Sequence, residues 1–189
     1  MKGGSKMKKT IAVLLADGFE ETEAIVPSDV LARLGCTVIH AGIRDRIVTG
    51  SHGFRIETAC LLKDLKADDL DAVFLPGGLP GATNLRDDPS VIALIRKMKA
   101  DGKIVSAICA APIVLAKADV IGSRKVTGYP GSESMAEHLS YTGKRAESDS
   151  GIVTGKGPGA SFDFAFALAE ALGFSGDETA RLKGQMFVL

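Results

Sequence analysis

Residues 103–116 read KIVSAICAAPIVLA, and the fold turns on how this stretch divides. Its first half is an apolar run of strand length, preceded by the turn pair Asp101-Gly102. The second half is rich in Ala and Leu and reads as helix. A strand that turns tightly into a helix lifts the residue at the join out of the sheet and tolerates only small neighbours. Cys109 occupies that join, and Ala110 and Ala111 are the small neighbours. The helix points its N-terminal amides and positive dipole end at the sulfur, which is predicted to favour thiolate over thiol. A buried structural cysteine is the competing reading, since free Cys is among the most buried residue types.

Working outward, the chain alternates strands and helices. Lys9 to Ala16 is predicted to be a strand. Asp17 and Glu20 have capping-box spacing, so a helix is predicted from there to Leu34, with Gly35 as its stop. Glu20 and Glu21 at its positive end read as surface carboxylates. Further strands are predicted at Thr37 to Ala41, Ala72 to Leu75 and Lys125 to Thr127, with one or two more between Ala146 and Thr154 and a terminal one at Met186 to Leu189. Short β-like pieces occur at Ile47-Val48 and Arg55 to Thr58. Helices are predicted from Asp88-Pro89 to about Gly102, near Ser132 to Leu139, over Ser161 to Leu172 and over Asp177 to Lys183. Such alternation implies an α/β protein, a mostly parallel sheet with helices on both faces.

Composition bounds the function. At 189 residues the chain has the length of one domain with a full core, and 8–189 is expected to form it, behind a flexible tail at 1–7. Lys plus Arg and Asp plus Glu are 23 each, which removes the electrostatic case for nucleic acid or an anionic membrane as main partner. No apolar run approaches the ~20 residues of a membrane span. Cys36, Cys60 and Cys109 are an odd count without C-x-x-C spacing, arguing against a disulfide framework or zinc site and for a reducing cytoplasm.

In a parallel sheet, ligands sit at the C-terminal ends of the strands near a topological switch point. Three features end strands there: Asp17-Gly18 opening the Glu-rich helix, Pro76-Gly77-Gly78, and Cys109. Gly77 and Gly78 let backbone amides approach a substrate oxygen, although a plain loop turn is the commoner cause of such a pair. The Gly155-Lys-Gly-Pro-Gly159 loop does not match a phosphate-binding motif, and Pro158 lacks a donor. His40, His52 and His138 form no H-x-x-x-H pair, so no metal site is expected.

Taken together, Ala16-Asp-Gly-Phe-Glu-Glu-Thr-Glu23, Leu75-Pro-Gly-Gly78, Ala107-Ile-Cys-Ala-Ala-Pro112, Lys125-Val-Thr127 and Gly157-Pro-Gly-Ala-Ser-Phe162 resemble the ThiJ/PfpI superfamily, in the branch of the Parkinson-associated protein DJ-1 and its bacterial relatives. The resemblance covers the chain from Lys8 to about Leu182. It implies a flavodoxin-like three-layer sandwich, a homodimer and no cofactor. It implies that Cys109 is the nucleophile, that Glu23 is the carboxyl hydrogen-bonded to it, and that backbone amides about Gly77, Gly78 and Ala110 form the oxyanion site. Arg33 matches a family arginine near the site. Tyr129 stands where animal members carry histidine, and His52 takes the place of a second arginine. The protease-type branch carries His after its cysteine where this chain has Ala110, so peptidase activity is not implied. The activity implied is that of a glyoxalase or deglycase acting on methylglyoxal, glyoxal or their adducts. The alternative is a redox sensor or chaperone whose Cys109 is oxidised to sulfinate without substantial turnover.

Overall fold

The Val- and Ile-rich runs become a sheet because each can bury both of its faces. The structure, a computed structural model, describes residues 8–188, so the expected tail 1–7 and the final residue lie outside the described residues. In chain order the elements are β1 (Thr10–Leu15), α1 (Glu21–Arg33), β2 (Thr37–Gly42), β3 (Ile47–Thr49), β4 (Arg55–Glu57), β5 (Cys60–Leu61), β6 (Ala72–Leu75), α2 (Gly81–Arg86), α3 (Pro89–Ala100), β7 (Ile104–Ile108), α4 (Pro112–Lys117), β8 (Ala146–Asp149), β9 (Ile152–Gly155), α5 (Ser161–Ala171) and α6 (Gly176–Gln185). The main sheet runs β5-β2-β1-β6-β7-β9-β8, and every pairing in it is parallel except β8 with β9. β3 and β4 form a separate antiparallel hairpin.

Alternate residues of each strand face opposite layers. Ala12, Leu14, Val73, Leu75, Val105 and Ala107 pack with Leu85, Ile95, Met98 and Val114 of α2, α3 and α4. Ile11, Val13, Leu15, Phe74 and Ile108 pack on the other face with Ala24 and Leu31 of α1 and Phe164 and Leu168 of α5. The result is a flavodoxin-like sandwich of helices, sheet and helices. No described helix is long and apolar enough to cross a membrane.

Local chemistry sets the helix starts, once differently from expectation. α3 begins as predicted, with Asp88 accepting from the N–H groups of Ser90 and Val91 and Pro89 at the first position. α1 is capped by Glu20 and not by Asp17: Glu20 Oε2 accepts from the Glu23 N–H at 2.8 Å. The Asp17 carboxylate instead accepts from the Thr49 N–H at 2.8 Å and ties the β3–β4 hairpin to the end of β1. Gly18, at φ +85°, and the fully buried Phe19 use up the residues between.

Three other expectations are corrected, and one helix was not expected. Lys125 to Thr127 is no strand; Val126 makes one isolated bridge to Tyr141, while the Thr127 N–H donates to the Thr154 hydroxyl and the Thr127 hydroxyl donates to the Lys144 carbonyl. The helix near Ser132 to Leu139 shrinks to a 3₁₀ turn at Ser132–Met135. Residues 186–188 form no strand. α2, six residues long with Gly81, Thr83 and Asn84, was not visible in the pattern because these are poor helix formers.

Candidate active site

β1, β6 and β7 are neighbours, and the chain changes direction across the sheet between β1 and β6. Three segments therefore leave their strands side by side: the turn into α1, Pro76-Gly77-Gly78, and Cys109. Cys109 sits at φ 63°, the left-handed region that a non-glycine residue occupies at a cost on the order of 1–3 kcal/mol. Two backbone bonds hold it there: its N–H donates to the Gly155 carbonyl at 2.9 Å, and its carbonyl accepts from the Tyr129 N–H at 2.7 Å. The residue is 8% exposed, so the thiol is within reach of solvent but mostly enclosed.

Glu23, in the first turn of α1, is fully buried. Its Oε2 accepts from the Gly77 N–H at 2.8 Å, and the carboxyl is also hydrogen-bonded to the Cys109 side chain. Oε1 has no nitrogen or oxygen partner. Only glycine fits at 77, since a Cβ there would lie 2.6 Å from Cys109 Cβ and 2.6 Å from Glu23 Oε2. Gly78 takes φ +84°, and a Cβ there would lie 2.5 Å from the Glu20 nitrogen. The amides of Gly78 and Ala110 bond to the sulfur. The Gly77 amide, expected to serve an oxyanion, is instead committed to Glu23.

Burial acts against charge on both partners. It pushes the Glu23 carboxyl up to about 7, helped by the negative charge of Glu20 and opposed by the bonds from Cys109 and Gly77. It pushes the thiol up to about 12, helped by the charge of Glu23 and the bond to it, and opposed by the Gly78 and Ala110 amides. The helix end alone therefore does not set the thiol, contrary to the sequence expectation: α4 is short and begins at Pro112, beyond the elbow. Part of the upward push belongs to a thiol facing an ionised carboxylate. When Glu23 holds the proton that the pair shares, the repulsion vanishes, the carboxyl donates to sulfur, and the two amides favour thiolate.

Over Cys109 opens a pocket of about 380 Å³, walled by Gly78, Leu79, Ala110, Tyr129, Ser132 and Met135 among others. Clefts of about 500 and 510 Å³ lie elsewhere, and neither includes Cys109 or Glu23. Cys109, Glu23, Gly77, Gly78, Ala110 and Tyr129 are thus brought together. Arg33 is not. It lies ten residues from Glu23 along α1, about 15 Å at the helical rise, and pairs on the surface with Asp29 at 2.8 Å. His52 is exposed in the β3–β4 hairpin; its N–H and Nδ1 each lie 2.8 Å from the Glu21 carboxylate, which pulls the imidazole pKa up. Glu21 is therefore no idle surface carboxylate. Glu20, Glu21 and His52 carry ligand-type atoms within 4.8 Å of one another, but Glu20 caps α1 and Glu21 is engaged by His52 and Ser51. Ser132 and Tyr141, in the stretch read as helix and loop, were missed; no spacing marked them.

The profile of the DJ-1/PfpI family matches residues 9–171. Protein dj-1beta of Drosophila melanogaster is 37% identical over 169 residues, 88% of this chain and 90% of that protein. The glutathione-independent glyoxalase DJR-1.2 of Caenorhabditis elegans is 33% identical over 166 residues, 87% and 89% of the two chains. Among solved structures, Drosophila melanogaster DJ-1beta superposes with a TM-score of 0.91 at 34% identity, over 97% of this chain and 100% of that one. Oxidised DJ-1 of Toxoplasma gondii gives 0.89 at 30%, over 95% and 98%.

Proposed function

This chain belongs to the DJ-1/PfpI family, and from that premise we propose that it is a cofactor-independent, cysteine-dependent enzyme of glyoxalase or deglycase type. Its substrates are methylglyoxal, glyoxal or their adducts. One observation carries this reading: a fully buried carboxyl, pushed up to about 7, is hydrogen-bonded to a thiol at a strained elbow beneath a pocket. Near neutral pH such a carboxyl is populated in both protonation states, which is what a group that takes and returns one proton requires. The glyoxalase name of the Caenorhabditis elegans relative supports the same chemistry.

The steps balance without an external oxidant. The Cys109 thiolate adds to the aldehyde carbon, and the Glu23 carboxyl gives its proton to the new alkoxide, forming a hemithioacetal. The Glu23 carboxylate then takes the C1 proton, leaving an enediolate. A proton passes between the two adjacent oxygens, and Glu23 returns its own to C2. C1 rises to the thioester level as C2 falls from ketone to alcohol, and water releases a hydroxy acid and the thiol. The working form proposed is a homodimer in a reducing cytoplasm, where the thiol stays free.

The test is lactate production from methylglyoxal without glutathione. Cys109→Ser and Glu23→Gln are expected to fall to near background, because groups that act as a unit lose activity together. Lactate production retained by Cys109→Ser would end this reading.

A second reading, a sensor oxidised to sulfinate, is favoured by the isolation of the thiol. Cys36, Cys60 and Cys109 are free. Cys60 on β5 is four strand positions from β7, about 19 Å at the usual spacing. Cys36 precedes β2, at the opposite end of the sheet from the elbow. A disulfide needs Cα atoms within ~7 Å, so neither can resolve a sulfenic acid on Cys109 within the chain.

A further inference from the structure

The described residues lining the pocket include no charged side chain to meet the second oxygen of a dicarbonyl. The amides of Gly78 and Ala110 are directed at the sulfur. Of the side chains lining the pocket, Cys109 apart, only Tyr129 and Ser132 carry a hydroxyl. Tyr129 is 54% exposed, and no side-chain bond orients its phenol among the described residues. Ser132 is 7% exposed and held from two sides. Its Oγ donates to the Tyr129 carbonyl at 2.8 Å and lies 3.0 Å from the Tyr141 phenolic oxygen.

A hydroxyl has one proton and two lone pairs. Assigning the Ser132 proton to the Tyr129 carbonyl, an acceptor only, leaves the 3.0 Å contact to the proton of Tyr141, which Ser132 then accepts. Tyr141 is fixed for that role by packing on Gly128, where a Cβ would come within 2.4 Å of the ring. Burial pushes its phenol up to about 12, so it remains a donor at any working pH. The pair is thus a short donor chain, Tyr141 to Ser132, ending at a hydroxyl on the pocket wall.

We propose that Ser132 is a catalytic residue that binds the oxygen on the second carbon of the dicarbonyl substrate, with Tyr141 as its positioning residue. The inference rests on the glyoxalase reading above and names the group that completes it. With substrate bound, the Ser132 O–H turns from the Tyr129 carbonyl to the substrate oxygen while Tyr141 keeps donating to Oγ. When the C1–H bond breaks, its proton goes to Glu23, its electron pair forms the C1–C2 double bond, and the C2–O π pair moves onto oxygen. A hydrogen-bond donor at that oxygen is worth more in the transition state than in the bound substrate, because the charge develops there. Ser132 keeps its proton throughout.

The test is steady-state kinetics with methylglyoxal on the full chain, comparing wild type with Cys109→Ser, Ser132→Ala, Ser132→Thr and Tyr141→Phe. Loss of a single such donor lowers kcat about 10²-fold, so Ser132→Ala is expected to lose that much with KM shifted less than about threefold. Ser132→Thr recovers most of it, and Tyr141→Phe loses about tenfold through a less oriented donor. Alkylation of Cys109 by iodoacetamide, which involves no second oxygen, proceeds at the wild-type rate in all three. Wild-type kcat in Ser132→Ala overturns the inference, and so does a matching loss of alkylation, which would make Ser132 a prop for the pocket. A wild type that makes no lactate overturns the glyoxalase reading and this inference together. Lactate that depends on Cys109 but not on Ser132 leaves the former standing and removes only the latter.

Discussion

Glu23 is a carboxyl that folding keeps neutral well above the pH at which it ionises in water, and stability must record this. Folded Glu23 keeps its proton to about pH 7, whereas the unfolded chain releases it near 4.5. The native state therefore binds more protons between these values, so the contribution of Glu23 to stability is fully present below pH 4.5 and gone above about 7. The size is on the order of 3 kcal/mol, at about 1.4 kcal/mol per pKa step. Urea unfolding at pH 5 and pH 8 checks it: Glu23→Gln is expected to lose less stability than wild type on going to pH 8, and equal losses would overturn the assignment. The same proton governs the cysteines. At pH 6 Glu23 is mostly neutral and its charge no longer opposes a thiolate at Cys109, where the Gly78 and Ala110 amides offset part of the burial. Burial also holds Cys36 up at about 11 and raises Cys60, neither of them at a strained elbow. Iodoacetamide at pH 6 is therefore expected to label Cys109 first, read by peptide mass. Mild peroxide should add two oxygen atoms at Cys109 with no disulfide; a Cys109 disulfide in the intact chain would rule out the isolation argued above.

At the scale of elements, the site is the meeting of a helix start with two strand ends, and α1 is the part that chemistry can adjust. Glu20 caps that helix through Oε2, and its charge raises the pKa of Glu23. Two substitutions separate the effects. Glu20→Ala removes the cap and is expected to cost about 1 kcal/mol in urea unfolding. Glu20→Gln leaves an oxygen to cap but removes the charge, so the Glu23 titration should move down, seen as a lower pH midpoint in the Cys109 alkylation profile. An unmoved midpoint would mean that burial alone sets Glu23. The Gly77–Gly78 segment allows no such adjustment, because a single methyl at 77 would displace both Cys109 and Glu23.

At the scale of the molecule, the proposed homodimer can be tested directly. Ile25 on α1 and Ile47 and Phe54 in and beside the β3–β4 hairpin are 46%, 48% and 68% exposed, large apolar groups open to solvent in the single chain. Light scattering on the eluted protein is expected to give twice the chain mass of 19.7 kDa, and a monomer mass at micromolar concentration would refute the homodimer. By itself the sequence determined the alternation of strands and helices, the elbow at Cys109 and the turn at Gly77–Gly78, because periodicity, proline, glycine and small residues act over a few positions. It also placed Asp88 and Pro89 at the start of α3. It misplaced the cap of α1, since whether Asp17 or Glu20 turns inward depends on the hairpin that Asp17 ties down. It overread Lys125 to Thr127, where a bond to the Thr154 side chain replaces regular backbone pairing, and Ser132 to Leu139, where local bonds from Ser132 and Ser134 to Tyr129 and Gly131 hold a single turn. The pairing of Glu23 with Cys109 was legible only as what the family resemblance implied, and only the tertiary structure decided that Glu23 is fully buried there, that Arg33 points to the surface a helix length away, and that Ser132 meets Tyr141 nine residues on. The desolvation that moves Glu23 toward 7 arises between segments far apart in the chain, and the contact that orders two hydroxyls arises across an irregular loop, so no periodic pattern records either.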